Sequence, residues 1–191
     1  MYSYFAMMSR MKYIDRWALM RNSMPENISE HSLEVAMLAH AMAVLGNRRF
    51  GKQLDASRAA LLGMYHDTTE ILTGDMPTPV KYNDSAIRSA YRRLEDQAAD
   101  SLLARLPEDL REEFTSLYYP REEDEYLWKL VKAADKLSAL IKCMEEGKAG
   151  NREFIKAEQS TREKLEEMDL PELKAFMKDF LAPYGRTLDE M

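Results

Sequence analysis

The chain has 191 residues, of which 46% are hydrophobic and 31% charged, and this ordinary globular composition excludes a collagen-like or fully disordered protein. Lys and Arg number 27 against 33 Asp and Glu, so the net charge of -6 argues against broad binding of nucleic-acid polymers. No stretch approaches the ~20 apolar residues of a membrane span, and the N-terminus has charges where a signal peptide is apolar. The single cysteine forms no internal disulfide. We expect a cytoplasmic protein with neither membrane nor nucleic-acid partners.

Hydrophobic spacing predicts a first helix over about residues 3–21. The apolar positions that predict it are Phe5, Met8, Met11 and Ile14. A second helix is expected to begin near Asn27, because Asn27 and Glu30 have the spacing of a capping box, and to end near Gly46. Its predicted apolar stripe consists of Leu33, Met37, Ala41 and Val44.

A third helix, capped by Asp55 or Ser57, is expected to run to about Leu72. The segment TGDMPTPVKYND follows, and its two prolines and one glycine in six residues forbid a continuing helix there. The remaining predicted helices lie at about 84–106, 108–118, 121–146, 152–168 and 171–181. The 121–146 helix has its apolar face at Leu127, Leu130, Val131, Ala134, Leu137 and Ile141. No convincing strand or internal repeat is found, so the fold class is all-α.

The three histidines differ in their surroundings. His31 lies in the first turn of the second helix, and His40 lies nine residues later, on the opposite face of that helix. One ion is therefore not easily bound by both, and His40 is interpreted as a core or partly exposed residue. His66 is followed directly by Asp67, a dipeptide that is weak evidence alone because it arises often by chance.

The context of His66 makes a metal site plausible. Glu70 follows at helical spacing, and the apolar run AALLGMY precedes the cluster, so these carboxylates emerge from a buried stretch. Burying an unpaired carboxylate is costly, and a metal ion removes that cost. Asp135 borders the apolar stripe of the 121–146 helix and is a fourth candidate. The alternative for Asp135 is a solvated carboxylate paired with Lys132 or Lys136.

Together, His31, His66, Asp67 and Asp135 give the order H…HD…D, which resembles the HD-domain superfamily of metal-dependent phosphohydrolases. The segments RWALMRN, NISEHSLEVAMLAHA, LLGMYHDTTEILTGDMPTPVKY and VKAADKLSALIKCMEE further resemble bacterial 5′-deoxynucleotidases of the YfbR type, over most of residues 5–150. GDMPTPVKY is the specific part. The resemblance implies a single HD domain over 1–191, an all-α bundle with the metal site between helices. Its core spans about 13–145, and its C-terminal helices about 151–182.

The resemblance implies one divalent metal ion bound by His31, His66, Asp67 and Asp135. Two neutral imidazoles and two carboxylates carry a charge of -2, which a divalent cation cancels. Mixed nitrogen and oxygen ligands suit Co, Mn, Zn, Fe, Ni or Cu better than Mg or Ca. Such an ion can lower the pKa of a water molecule and orient it for attack on phosphorus.

The family's Arg-Trp pair, which contacts phosphate and nucleoside, corresponds to Arg16 and Trp17. A planar guanidinium can hold two phosphate oxygens and supply the positive charge that the metal no longer offers. The alternative is a surface charge near Asp15 and a core tryptophan. Glu70 is the expected proton-transfer group, as the second catalytic residue beside Arg16. Its alternative is a surface carboxylate that caps the last helical turn.

The loop that contains Asp75, Met76, Pro77 and Thr78 is expected to form the wall for sugar and phosphate, with Asp75 accepting a hydrogen bond from the 3′-OH. The alternative is a rigid turn between helices. Preference for deoxyribose and a homodimer are implied by the resemblance alone. The full expected substrate-binding set is Arg16, Trp17, His31, Asp67, Asp75, Met76, Pro77, Thr78 and Asp135.

The expected activity is hydrolysis of 2′-deoxyribonucleoside 5′-monophosphates to deoxynucleoside and phosphate. In one alternative, the same metal site hydrolyses a ribonucleotide, a nucleoside triphosphate or a signalling nucleotide. Arg16 and Lys81 lie near the expected site without a larger basic cluster for a polyphosphate. The other alternative is a non-catalytic helical regulatory module.

Overall fold

Helices joined by short connections make up the fold, seen in a computed structural model that describes residues 1–81 and 84–191. The α-helices of these ranges are α1 (Tyr4–Met8), α2 (Ile28–Phe50), α3 (Ala56–Tyr65), α4 (Glu70–Thr73), α5 (Thr78–Lys81), α6 (Ser85–Leu103), α7 (Glu108–Tyr118), α8 (Glu125–Lys148), α9 (Ile155–Glu166) and α10 (Pro171–Phe180). Short 3-10 helices lie at Met11–Tyr13, Glu122–Asp124, Arg152–Phe154, Ala182–Gly185 and Leu188–Glu190. The all-α prediction is confirmed. Among the described residues, no helix has the length and apolar character that a membrane crossing needs.

The centre of the fold is formed by α2, α3 and α8, with α9 and α10 packed around them. The predicted apolar face of the longest segment is confirmed, because all six of its named residues are buried in α8. That helix spans Glu125–Lys148 and is preceded by a 3-10 turn, so it is shifted slightly from the predicted 121–146. The predictions at 84–106, 108–118, 152–168 and 171–181 correspond to α6, α7, α9 and α10.

The prediction of one helix over 3–21 is wrong. The chain forms α1, a 3-10 turn ending at Tyr13, and then an extended residue at Ile14. Ile28 N–H donates to the Ile14 carbonyl at 3.0 Å, and Asp15 pairs with Asn27 in an isolated antiparallel bridge. These contacts make residues 14–28 a closed loop, which we call the 14–28 loop. Local hydrophobic spacing cannot show such a closure because both of its partners are distant in sequence.

Helix α2 begins as predicted but ends later and buries a different face. Asn27 and Glu30 form the predicted capping box. The helix continues past Gly46 and ends at Gly51, which has a left-handed conformation. Gly46 does not end the helix; it allows close packing, because a Cβ there would meet the Glu172 carboxylate at 2.9 Å. The predicted apolar stripe points away from the core, since Leu33, Met37 and Val44 are exposed and Ala41 is half-buried. The buried face includes His31, Ser32, Val35, Leu38, Ala39, Met42 and Leu45.

The third predicted helix is interrupted. Asp55 caps α3 as expected, accepting from the Arg58 N–H at 2.8 Å, but α3 ends at Tyr65. The chain then turns through residues 66–69 before α4 begins at Glu70. The predicted loop also contains the short helix α5, which Pro79 permits because a proline is tolerated in the first turn.

Gly63 allows α3 to lie directly against α2. A Cβ built on Gly63 would come within 2.9 Å of the Ala36 Cα and 3.0 Å of the Ala36 nitrogen. Both are backbone atoms of a buried helix, so they cannot move aside as a flexible side chain would. The glycine therefore sets the distance between the two helices.

We predict that Gly63→Ala destabilises the protein by roughly 1–3 kcal/mol, because overpacking against backbone outweighs the higher helix propensity of alanine. The matched control is Gly147→Ala in α8, where the nearest atom to the added Cβ is a Glu158 carboxylate oxygen at 3.8 Å. This control should be neutral or stabilising by up to about 1 kcal/mol. Urea unfolding monitored by circular dichroism measures both, and equal stabilities for the two variants would refute the argument.

Candidate metal centre and active site

Four side chains from three parts of the chain meet at one point between α2, α3 and α8. They are His31 in the first turn of α2, His66 and Asp67 directly after α3, and Asp135 in the middle of α8. One nitrogen or oxygen atom from each lies within 4.8 Å of the others. His31 Nε2 is 3.2 Å from Asp135 Oδ1 and 3.4 Å from Asp67 Oδ2, and His66 Nε2 is 3.0 Å from Asp67 Oδ2. The structure thus brings together all four residues of the H…HD…D pattern.

The orientation of the His31 ring is fixed from behind. Ser138 lies one turn after Asp135 on α8, and its hydroxyl donates to Glu34 Oε2 at 2.5 Å. The hydroxyl has one proton, so it accepts from His31 Nδ1, 3.0 Å away. In the neutral ring Nδ1 therefore carries the imidazole proton, and Nε2 is left with a free lone pair that points into the cluster.

His66 is arranged in the same way by backbone. Its Nδ1 donates to the Gly63 carbonyl at 2.7 Å, so its Nε2 also faces the cluster as an acceptor. The Nε2 atoms of both rings are buried without a hydrogen-bond partner. Two lone pairs and two carboxylates that face one another require a cation between them, and a divalent metal ion fits this donor set.

Charge interactions in the cluster show the same demand for a cation. Burial and the Arg16 charge lower the pKa of His31, but Asp135 and Asp67 outweigh them and raise it to about 9. Burial alone would raise the pKa of Asp67, yet the neighbouring His66 and His31 hold it well below its usual range. The pKa of Asp135 is likewise lowered against the effect of burial, chiefly by His31. A proton on His31 therefore occupies the position of the cation in the metal-free protein.

Arg16 and Trp17 lie beside the cluster on the 14–28 loop. The Arg16 side chain is only 11% exposed; one guanidinium nitrogen is 2.7 Å from Glu26 Oε2, and the other is 3.9 Å from Asp135 Oδ1. Trp17 Nε1 donates to the same Glu26 oxygen at 3.0 Å, and its ring packs on Phe154 with centroids 5.3 Å apart. Burial lowers the pKa of Arg16, but Glu26 and Asp135 raise it above its ordinary value, so the guanidinium stays charged.

The loop after α4 reaches the same side of the cluster through Asp75. Burial raises the pKa of its carboxyl group, opposed chiefly by the charge of Arg16. Met76 and Pro77 follow and are half-buried. Thr78 begins α5, but its side chain lies outside the described part of the structure. The role of these three residues as a wall stays a prediction.

Glu70 lies in the first turn of α4 and is 6% exposed, so it is not the surface cap that was the alternative. Desolvation, together with the charges of Asp67 and Asp75, raises its pKa to about 10. Its Oε2 is buried without a hydrogen-bond partner. Desolvation and the neighbouring carboxylates thus favour the protonated form of this side chain in the metal-free protein.

Several alternatives from the sequence are now resolved. His40 is exposed on α2 and lies outside the cluster, as its position nine residues after His31 predicted. Asp135 pairs with His31, and Arg16 pairs with Glu26 rather than with Asp15. Sequence analysis assigned no role to several contributors to this site: Glu26, Glu34, Gly63, Ser138 and Phe154. Of these residues, only Ser138 could have been linked to the site from the sequence, because it lies three residues after Asp135 on a predicted helix.

The fold is that of HD-domain phosphohydrolases, and its His/Asp cluster fits a metal ion. The structure matches an HD-domain phosphohydrolase from Listeria innocua with a TM-score of 0.80 at 20% identity, covering 95% of this chain and 88% of that one. It also matches the cyanophage S-2L HD phosphohydrolase DatZ, solved with dA and one catalytic Zn²⁺ ion. That TM-score is 0.66 at 19% identity, covering 95% of this chain and 96% of that one.

The sequence narrows this class to a family. The family model described as 5′-deoxynucleotidase YfbR-like matches residues 3–184. A protein from Vibrio parahaemolyticus named a 5′-deoxynucleotidase is 45% identical over 188 residues, which is 98% of this chain and 97% of the relative. This chain belongs to the YfbR-like 5′-deoxynucleotidase family, as the sequence resemblance implied.

We predict that Glu70→Gln stabilises the metal-free protein at pH 7 by roughly 1–3 kcal/mol. Unfolded glutamate ionises above its ordinary pKa of 4.5, whereas folded Glu70 stays protonated up to about pH 10. Folding at pH 7 therefore takes up a proton, and the energetic cost grows as the pH rises from 4.5 and vanishes below it. Glutamine needs no proton.

The test is urea unfolding of both proteins after chelation, between pH 4.5 and 8. The advantage of the variant should shrink towards zero at the acidic end. Glu112→Gln, which replaces an exposed residue of α7, is the matched control and should show no such trend. A stability difference for Glu70→Gln that is independent of pH would contradict the assignment of a buried neutral acid.

Proposed function

We propose that this protein hydrolyses 2′-deoxyribonucleoside 5′-monophosphates to deoxynucleosides and phosphate. It is a phosphoric monoester hydrolase by family, and the observation that carries the proposal is the pair of buried, unpartnered imidazole nitrogens facing two carboxylates. A regulatory helical module would have no use for such an arrangement, because two imidazole nitrogens and two carboxylates that face one another are costly to bury without a cation between them.

The ligands we propose for one divalent ion are His31 Nε2, His66 Nε2 and the carboxylates of Asp67 and Asp135. Two nitrogen and two oxygen donors favour a transition metal, Mn, Fe, Co, Ni, Cu or Zn, over Mg or Ca. When bound, the ion supplies a Lewis acid that lowers the pKa of a water molecule and offsets charge on the phosphate. Asp135 is 39% exposed, which leaves this side of the cluster open to a substrate.

In this proposal Arg16 holds the phosphate group. The carboxylates of Asp67 and Asp135 already cancel the charge of a divalent ion, and the substrate brings about two further negative charges. The free guanidinium nitrogen of Arg16 lies on the Asp135 side of the cluster and stays charged. A guanidinium can donate to two phosphate oxygens at once, which orients the phosphorus as well as binding it.

Glu70 is proposed as the general acid. When the bond between phosphorus and the 5′-oxygen breaks, the departing oxygen needs a proton, and a carboxylic acid that is still protonated at neutral pH can donate it. Burial next to Asp67 and Asp75 is what keeps that proton on Glu70. Glu70 and Arg16 are the two catalytic residues of the proposal.

The sugar is proposed to lie against Trp17 and the loop of Asp75, Met76, Pro77 and Thr78. The charge of Asp75 acts on Arg16, which adjoins Trp17 in the chain, so the two halves of this wall lie near one another. A bulky indole beside the sugar leaves less room for a 2′-OH. Rejecting a hydroxyl by shape alone discriminates only modestly, about a hundredfold at most. The proposed substrate contacts also include His31, Asp67 and Asp135 through the bound ion.

We also propose a homodimer in the cytoplasm. Leu33, Met37 and Val44 form an exposed apolar stripe on α2, of the kind that a second subunit can cover. The free thiol of Cys143 is buried and needs no oxidising compartment.

The test of the activity is phosphate release from deoxy- and ribonucleoside mono- and triphosphates, after chelation and reloading with single divalent metals. We expect release from deoxynucleoside monophosphates only when a transition metal is restored. Faster hydrolysis of triphosphates or ribonucleotides would refute the substrate assignment. Absence of stoichiometric metal in the purified protein would refute an enzyme altogether.

Two variants test the proposed roles. Glu70→Gln should bind metal and nucleotide but lose at least about 100-fold in kcat, because the leaving oxygen no longer receives a proton. Arg16→Ala should raise KM for the monophosphate while metal stays stoichiometric. Glu112→Gln serves again as the control with unchanged kinetics. Near-full kcat in Glu70→Gln, or loss of metal in Arg16→Ala, would show that the corresponding role is wrong.

A further inference from the structure

Among the residues that the structure describes, Glu26 has side-chain hydrogen bonds to both proposed substrate-binding residues of the 14–28 loop, Arg16 and Trp17. We propose that Glu26 is a positioning residue: its single oxygen Oε2 sets the orientation of Arg16 and of Trp17 together and so couples phosphate binding to recognition of the sugar. The inference rests on the proposed function for what these two residues bind. It does not rest on it for the geometry, which can be tested separately.

Glu26 decides which edge of the Arg16 guanidinium faces the His/Asp cluster. One terminal nitrogen is held by Glu26 at 2.7 Å, so only the remaining donors are free. The second terminal nitrogen then lies 3.9 Å from Asp135 Oδ1, which is too long for a hydrogen bond and leaves its protons available. Without Glu26, the nearest carboxylates to Arg16 would be those of the cluster itself, and the guanidinium would turn towards them.

Glu26 also compensates for backbone strain at Trp17. Trp17 has a φ of 62°, a left-handed conformation that is rare for a bulky side chain and costs energy. The bond from Trp17 Nε1 to Glu26 and the packing on buried Phe154 hold the indole in place in spite of that strain. Strained residues of this kind persist only when their surroundings determine their conformation.

The position of Glu26 itself is fixed by the rest of the fold. Its carbonyl accepts from the Arg16 N–H at 2.9 Å, and the bridge between Asp15 and Asn27 follows directly. Just before Glu26 in the loop, the N–H groups of Ser23 and Met24 donate to Glu146 of α8. The Glu26 side chain is 13% exposed, so its carboxylate is a rigid and mostly dry anchor.

A shared anchor makes a specific kinetic prediction. Glu26→Ala should raise KM for a deoxynucleoside monophosphate by about tenfold or more and reduce the deoxy-over-ribo ratio of kcat/KM, with one metal ion still bound. Arg16→Ala combined with Glu26→Ala should cost less than the sum of the two single penalties, because Glu26 acts partly through Arg16, and the remaining loss should appear in the deoxy-over-ribo ratio that depends on Trp17. Asp15→Asn is the matched control: Asp15 adjoins Arg16 in sequence and is exposed, and this variant should behave as wild type.

A readout without activity comes from the indole N–H resonances. The chain has two tryptophans, Trp17 and Trp128, so an amide-correlation NMR spectrum contains two indole signals, assigned with Trp128→Phe. Glu26→Ala and the isosteric Glu26→Gln should both shift the Trp17 signal and leave Trp128 in place. If Glu26→Ala unfolds, Glu26→Gln carries the test.

The outcomes separate the two proposals. A wild-type protein that hydrolyses no deoxynucleotide refutes the proposed function, yet a displaced Trp17 signal would still support Glu26 as its anchor. An unmoved Trp17 signal in Glu26→Gln refutes the inference. It is also refuted by a loss of kcat with unchanged KM, or by penalties of Arg16→Ala and Glu26→Ala that simply add.

Discussion

The structure depends on one electrostatic constraint: two imidazole lone pairs and two carboxylates are held facing one another at a largely buried point. His31 and His66 each donate a hydrogen bond from Nδ1 to a fixed acceptor, so neither Nε2 carries a proton to donate to Asp67 or Asp135 while the rings are neutral. The two lone pairs and the two carboxylates repel one another unless a cation lies between them. The three helical segments that meet there are thus stabilised together by proton or metal, and this links folding to cofactor binding.

The packing around this point follows from the same constraint. The carbonyl that fixes His66 belongs to Gly63, whose missing side chain also lets α3 approach α2. The hydroxyl that fixes His31 belongs to Ser138, one turn after Asp135 on α8, and it reaches Glu34 on α2. Each ring is therefore oriented by the same inter-helix contacts that form the core. A change in helix packing would misalign the ligands directly.

Most helices were predictable because their signals are local, whereas the four clustered residues lie in three separate segments and were predicted as one site by the family resemblance. Capping at Asn27, the glycine-rich break after α8 and the apolar face of α8 depend on residues within one or two turns. The break after Tyr65 was missed: residues 66–69 (His, Asp, Thr, Thr) are weak helix formers, and the turn that they form lets His66 and Asp67 both reach the cluster. The buried face of α2 was also misplaced, since His31 and Ser32 replace apolar residues on it.

The 14–28 loop shows where local reasoning ends. The helix predicted over 3–21 extends into this loop from apolar positions at 5–14, yet part of the path of the loop is set by partners more than a hundred residues away, such as Glu146, which accepts from the N–H groups of Ser23 and Met24. These contacts place Arg16 and hold Trp17 in a strained conformation. The metal-binding residues thus lie on helices or directly after them. Arg16 and Trp17, which are proposed to select the substrate, lie in a loop whose path is poorly predicted by neighbouring residues. Selectivity within this fold can then change through loop contacts while the cation-binding residues and their helices stay as they are.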